Sequence, residues 1–191
     1  MTLGPTREPA PHRTKRASAR SVRVMGVDPG SSTTGYGVIQ SDGRRYELIE
    51  CAGVRVPSKL SFPERLLLIS TKLEEVMERL APDACAVEET FYAVNVKSAL
   101  TLGHVRGVVL LAAARAGIEI FEYSPLEIKS ALVGYGRAEK KQVQEMVRLL
   151  LKLEKPPEPL DASDALAVAI CHANTASTKA LLPAIERRTR R

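Results

Sequence analysis

The chain has 191 residues, 45% of them hydrophobic, which suits one globular domain with tails and a buried core. No stretch has the length of a membrane span, since the longest apolar run, Val108 to Ala114, lies between Arg106 and Arg115; the basic first twenty residues lack an apolar segment, so no secretory signal and a cytoplasmic location are expected. The net charge is +6, but residues 1–23 and 176–191 together carry +9 and leave −3 on residues 24–175, so a nucleic-acid partner is suggested by the tails and by local clusters.

Residues 1–21, rich in Pro, Arg, Ser and Thr, read as a basic tail that does not fold. Val22 to Val27 alternates as a strand ending at Asp28, and Asp28-Pro29-Gly30-Ser31-Ser32 is a turn. Thr33 to Gln40 and Tyr46 to Val56 read as two further strands, giving three antiparallel strands in a row. Ser61 is placed to cap a helix with Pro63 near its first position, and Leu66, Ile69, Leu73, Val76, Met77 and Leu80 recur at helical spacing. Ala84 to Val87 is a short buried strand ending at Glu88. Asn95 to Ala116 is a long helix stopped by Gly117, and Ile118 to Tyr123 is a fifth strand. A short helix follows Pro125, and then comes the loop Gly134-Tyr135-Gly136. Glu139 to Leu153 is an amphipathic helix, with Val143, Met146, Val147 and Leu150 inward and Pro156, Pro157 and Pro159 as its stop. Asp161 to Ala173 is the last helix. Cys51, Cys85 and Cys171 have neither pairing nor ligand spacing and read as small core residues.

Three strands followed by alternating helix and strand imply a mixed sheet covered by helices. The order resembles that of the ribonuclease H-like fold, a five-stranded mixed sheet flanked by helices. If the first and fourth strands are parallel neighbours, Asp28 and Glu88 meet at one sheet edge. Asp161 and Asp164, three apart at a helix start, share a face that can lie over the same edge. Four such acids need a compensating cation, and hard oxygen donors suit Mg²⁺ or Mn²⁺. Two ions roughly 3.5–4 Å apart can activate a water and stabilise a leaving 3′ oxygen. Singly, each acid has a plainer reading. Asp28 suits a turn, Glu88 and Glu89 suit a solvated loop, and Asp161 with Asp164 suits a helix cap. Only the four together are specific.

The blocks MGVDPGSSTTGYGVI, AVEETF, SALTLGHVRGV, VGYGRAEKKQVQEMVRLLLKL and DASDALAVAICH resemble the successive blocks of the RuvC family of Holliday-junction endonucleases, in its order and across nearly all of residues 22–174. The resemblance implies a structure-selective endonuclease that resolves four-way DNA junctions by paired symmetric nicks, in recombination and repair. It implies a nuclease domain over residues 22–175 between a basic tail of residues 1–21 and another of 176–191. Asp28, Glu88, Asp161 and Asp164 become its catalytic, metal-binding acids, holding two Mg²⁺ or Mn²⁺ ions per subunit. The implied partners are four-way junction DNA, a second copy of the chain and the RuvA–RuvB branch-migration machinery, with no membrane.

The resemblance also maps Phe91 onto an aromatic that meets junction bases, with Tyr92 as its neighbour. A stacked base is worth ~1–3 kcal/mol, although core packing is the plain alternative in a chain with three Phe and no Trp. Lys129 and Lys140 match lysines that sit by the scissile phosphate, while Arg137 and Lys141 read as backbone contacts, with a solvated helix face preferred for Lys141. His104 and His172, on apolar helices, read as packed core histidines. Ala99, Gly103 and Gly107 form a stripe of small residues that suits either close packing on the sheet or a two-fold interface, which the resemblance favours. Three other functions stand beside this one. The turn at Asp28 is similar to a phosphate loop of sugar-kinase and actin-like ATPases, but the chain is short for two such subdomains. A catalytically silent junction binder would not need the acid quartet. The YqgF-like nucleases share the chemistry, but the block around VGYGRAEKKQ favours RuvC.

Overall fold

Continuous burial from Val24 to Val27 marks a strand covered on both faces, the signature of a sheet centre. This strand, β1 (Val22–Asp28), pairs antiparallel with β2 (Thr33–Ser41), which pairs antiparallel with β3 (Tyr46–Arg55). On its other side β1 pairs in parallel with β4 (Ala84–Glu88), and β4 in parallel with β5 (Glu119–Tyr123). The sheet order is β3-β2-β1-β4-β5, the mixed five-stranded arrangement expected from the element order. The computed structural model describes residues 21–89 and 95–189, with side chains through Thr178.

Alternate residues of each central strand feed two cores. Met25, Val27, Val38, Cys85 and Val87 pack with α1 (Phe62–Leu80) and α2 (Val96–Arg115). Val24, Ile39 and Ala86 pack with α3 (Pro125–Val133), α4 (Lys140–Leu150) and α5 (Leu160–Thr189). Helix starts follow the sequence signals. Ser61 and Ser124 head capping boxes with Glu64 and Glu127, each followed by a proline in the first turn.

Two helix ends differ from expectation. α4 stops at Leu150, before the prolines, because Lys152 takes a left-handed turn (φ 56) and Leu153 bonds back to the Arg148 carbonyl. α5 runs on past Ala173 to Thr189. No glycine interrupts residues 160–189, so the commonest helix-ending residue is missing from this stretch. The boundary expected at residue 175 therefore falls inside α5.

α5 lies unusually close to the sheet. A Cβ built at Gly26 would stand 2.0 Å from the Ala165 carbonyl oxygen, and one at Gly35 would stand 1.9 Å from that of Asp161. Gly26 pairs with Gly37 across β1 and β2, so a track without side chains crosses both strands. Only there can a helix backbone settle on a strand backbone.

α2 has the length and composition of a membrane span. One of its faces, Val105, Val109, Ala112 and Ala113, is core. A second apolar stripe, with Val96, Leu100 and Leu111, is exposed. His104 departs from the core position expected for it. It is exposed, its Nδ1 meets the Leu100 carbonyl at 2.6 Å, and its ring stands edge-on to Phe62. His172 is buried as expected, 2.9 Å from the Tyr123 hydroxyl.

Candidate active site at the sheet edge

Val27 pairs with Val87 in parallel register, so the next residues, Asp28 and Glu88, leave the sheet side by side. Two-residue periodicity puts both on the face of Val24 and Ala86, under α3, α4 and α5. Asp164, about one turn into α5, joins them in a cleft of about 370 Å³ together with Lys129 and Lys140. Ile128, Val143 and Ala167 give the cleft an apolar wall. Asp161 is half-buried in the first turn of α5. It does not line the cleft, yet its charge acts on both Asp28 and Lys140.

The electrostatics of the cleft follow from burial and crowding. Burial, then Glu88, Asp164 and Asp161, push the Asp28 carboxyl up to about 7, against the opposing pull of Lys140. Burial and Asp164 also raise Glu88, while a hydrogen bond from Asp28 and the charges of Lys140 and Lys129 oppose the rise. Lys140 is held charged by its hydrogen bond to Asp164, at 2.6 Å from Oδ2.

Hard carboxylate oxygens crowded beyond their supply of positive charge are a donor set that fits divalent cations such as Mg²⁺ or Mn²⁺. Among the described residues, no three acidic, cysteine or histidine side chains stand ready to chelate one ion as they are. The positive charge at Asp164 comes from the Lys140 ammonium instead.

A pH dependence follows. In the unfolded chain Asp28 returns to its ordinary value of 3.8, whereas the folded protein holds its proton up to about 7. The folded state therefore binds more protons between those values. Its stability should be fully present below about pH 4 and fall as pH rises through 7. Without added metal, the protein should melt several degrees lower at pH 8 than at pH 5.5, and Asp28→Asn should flatten that difference. Thermal melts across the range check this, and a profile that rises towards pH 8 would contradict the crowded site.

Of the other residues singled out from sequence, Lys129 lines the cleft. Arg137 is exposed in the turn between α3 and α4, and Lys141 is exposed on α4. Phe91 and Tyr92 lie outside the described residues. Sequence reasoning missed the glycine track that lets α5 deliver Asp164, although the alternation of Gly35 and Gly37 along β2, with Gly37 opposite Gly26, carried the signal. It also missed the Lys140–Asp164 pair.

Residues 24–172 match the family model described as crossover junction endodeoxyribonuclease RuvC. The protein of that name from Ruminiclostridium cellulolyticum is 48% identical over 159 residues, covering 83% of this chain and 96% of its own. That from Chloroflexus aggregans is 51% identical over 157 residues, 82% of this chain and 96% of its own. The structure of Thermus thermophilus RuvC in complex with Holliday junction substrate superposes with a TM-score of 0.79 at 36% identity, covering 83% of this chain and 96% of that one. Near-half identity along almost the whole length of these relatives, and a shared ribonuclease H-like fold, agree with the acidic sheet edge: the chain belongs to the RuvC family of crossover junction endodeoxyribonucleases.

Proposed function

We propose that this chain resolves four-way DNA junctions by paired, symmetric nicks, with Asp28, Glu88, Asp161 and Asp164 holding two Mg²⁺ or Mn²⁺ ions per subunit. The observation that supports this most is the cleft itself, where carboxylates from β1, β4 and α5 converge and drive Asp28 up to about 7. Such ions, once bound, supply an acidified water for attack on phosphorus and offset the charge of the leaving 3′ oxygen. Asp28 and Glu88 serve as rigid ligands because each ends a central strand. Asp161 and Asp164 serve from the rigid start of α5. Lys129 and Lys140 neutralise the charge of the phosphate, Arg137 contacts the DNA backbone, and Ile128 and Val143 form an apolar wall beside the acids, which lowers the local dielectric on that side. A chromosomal substrate supports a cytoplasmic location, alongside the RuvA–RuvB machinery that family resemblance implies. Incubating the protein with a labelled junction, a linear duplex and a single strand, with and without each metal, tests the reading. Only the junction should be cut, and only with metal; equal cutting of duplex would overturn it.

A junction presents two equivalent strands, which a two-fold protein can address together. The exposed stripe of α2 supports a homodimer. Val96, Leu100 and Leu111 are 76%, 60% and 50% exposed, and a Cβ at Gly103 or Gly107 would meet nothing within 4 Å. The alternative expected for this stripe, packing on the protein's own sheet, finds no contact at Gly103 or Gly107 among the described residues. Gly103→Leu should therefore leave the subunit fold intact, or stabilise it by up to ~1 kcal/mol through helix propensity, yet weaken association. Light scattering at micromolar concentration checks this, and a wild-type monomer would contradict the dimer.

Phe91 follows Glu88 by three residues, and by resemblance it stacks on a base at the branch point. Its removal should cost ~1–3 kcal/mol of substrate positioning, and Phe91→Ala should cleave junctions tenfold or more slowly, as a rough scale, while melting close to wild type. A core phenylalanine would instead cost ~3–5 kcal/mol of stability. A large fall in melting temperature, or normal cleavage, would pass the role to Tyr92.

A further inference from the structure

Lys140 is the first residue of α4, and its ammonium reaches Asp164 Oδ2 on α5 at 2.6 Å. The placement is not one that helix stability explains. A cation at a helix N-terminus faces the positive end of the macrodipole, and Glu139 and Gln142 already cap this end. The partner is not a surface carboxylate either. Asp164 is 17% exposed while Lys140 is 61% exposed, so a largely solvated side chain reaches into the cleft. There its charge acts on Asp28 and Asp161 as well as on Asp164. Lys129 lines the same cleft, and among the described residues it makes no ion pair with these acids.

We propose that Lys140 is the resident cation of the metal-free site: its ammonium holds Asp164 until a divalent ion displaces it, and the displaced ammonium is then free to meet the phosphate. The proposal rests on the reading of the acids as metal ligands. It follows from competition for one carboxylate. The ammonium occupies one oxygen of the Asp164 carboxylate and its charge repels a divalent ion brought to the same group, so ion binding works against the pair. A lysine suits the exchange because its flexible stem and strongly hydrated head let it leave without rearranging α4. It also keeps the folded metal-free protein from carrying the full repulsion of the acids. Lys140 would thus act twice, as a placeholder before metal arrives and as a phosphate contact afterwards.

The test uses the full-length protein without DNA and reads Mn²⁺ binding by calorimetry. Lys140→Gln should bind Mn²⁺ roughly 3- to 10-fold more tightly than wild type. It should melt lower than wild type without metal and converge with it at saturating Mn²⁺. Lys129→Gln removes the same charge without breaking the pair and should change affinity less than about 2-fold. In an Asp164→Asn background, Lys140→Gln should give no further tightening, because the competition is already gone. Unchanged or weaker Mn²⁺ binding by Lys140→Gln would overturn the proposal, as would equal tightening by Lys129→Gln, which a general field effect predicts. A wild-type protein that binds no Mn²⁺, or binding indifferent to Asp28→Asn, would overturn the metal reading as well. That outcome is distinct from the first, in which Asp28→Asn abolishes binding and Lys140→Gln leaves it as it was.

Discussion

Asp28→Asn should slow junction cleavage by ~10³-fold or more while leaving junction binding within a few-fold of wild type. Asp28 ends the central strand, beside Glu88 and under Asp164, so it is the acid most enclosed by the others. The amide keeps the shape of the side chain and removes one charged ligand. The lysines and arginines proposed to contact DNA are unchanged. The same substitution should make the metal-free protein more stable at pH 8, because burial and three neighbouring acids all disfavour the charged form of Asp28. Lost activity with gained stability separates a functional carboxylate from a structural one, which would lose both. Retained cleavage at saturating metal would remove Asp28 from the site.

Gly26→Val should destabilise the fold by ~3 kcal/mol or more, a fall of roughly 6–12 °C in melting temperature for a chain of this size. The added Cβ would stand 2.0 Å from the Ala165 carbonyl oxygen and 2.6 Å from the Ala169 nitrogen. Both are backbone atoms of α5, so no side-chain rotation relieves the contact and the helix itself must lift. Asp161 and Asp164 travel with it. Cleavage should therefore fall even well below the melting transition, although residue 26 touches none of the acids' chemistry. Melting within about 2 °C of wild type, by circular dichroism, would show that α5 does not seat on the strand in this way.

What the sequence disclosed, and what it hid, follows from the range of the interactions. The strand ends at Asp28 and Glu88 were legible because two-residue alternation stops where an acid follows a buried run. Their juxtaposition needed one assumption, that β1 and β4 are parallel neighbours, which the register of Val27 with Val87 bears out. The ribonuclease H-like sheet was legible from element order. The end of α4 was not, because Lys152 turns left-handed ahead of the prolines that looked like the stop. His104 was misplaced because its apolar neighbours were counted as core. α2 carries two apolar faces, one against the sheet and one exposed around Leu100, and periodicity alone does not say which is covered. The Lys140–Asp164 pair joins residues on two helices, and no local pattern marks a contact that only the packing of α4 against α5 creates.

We expect the acids at this sheet edge to cut DNA through divalent ions, in two equivalent strands. The most direct test is a four-way junction labelled on each strand in turn, incubated with the wild-type protein in Mg²⁺, in Mn²⁺ and in EDTA, with the cut positions mapped to the nucleotide. Cuts should fall at symmetric positions in one pair of opposite strands, present with either metal or both, and absent in EDTA and in Asp28→Asn. Cleavage that persists in EDTA, or cuts scattered over all four strands without two-fold symmetry, would contradict this expectation.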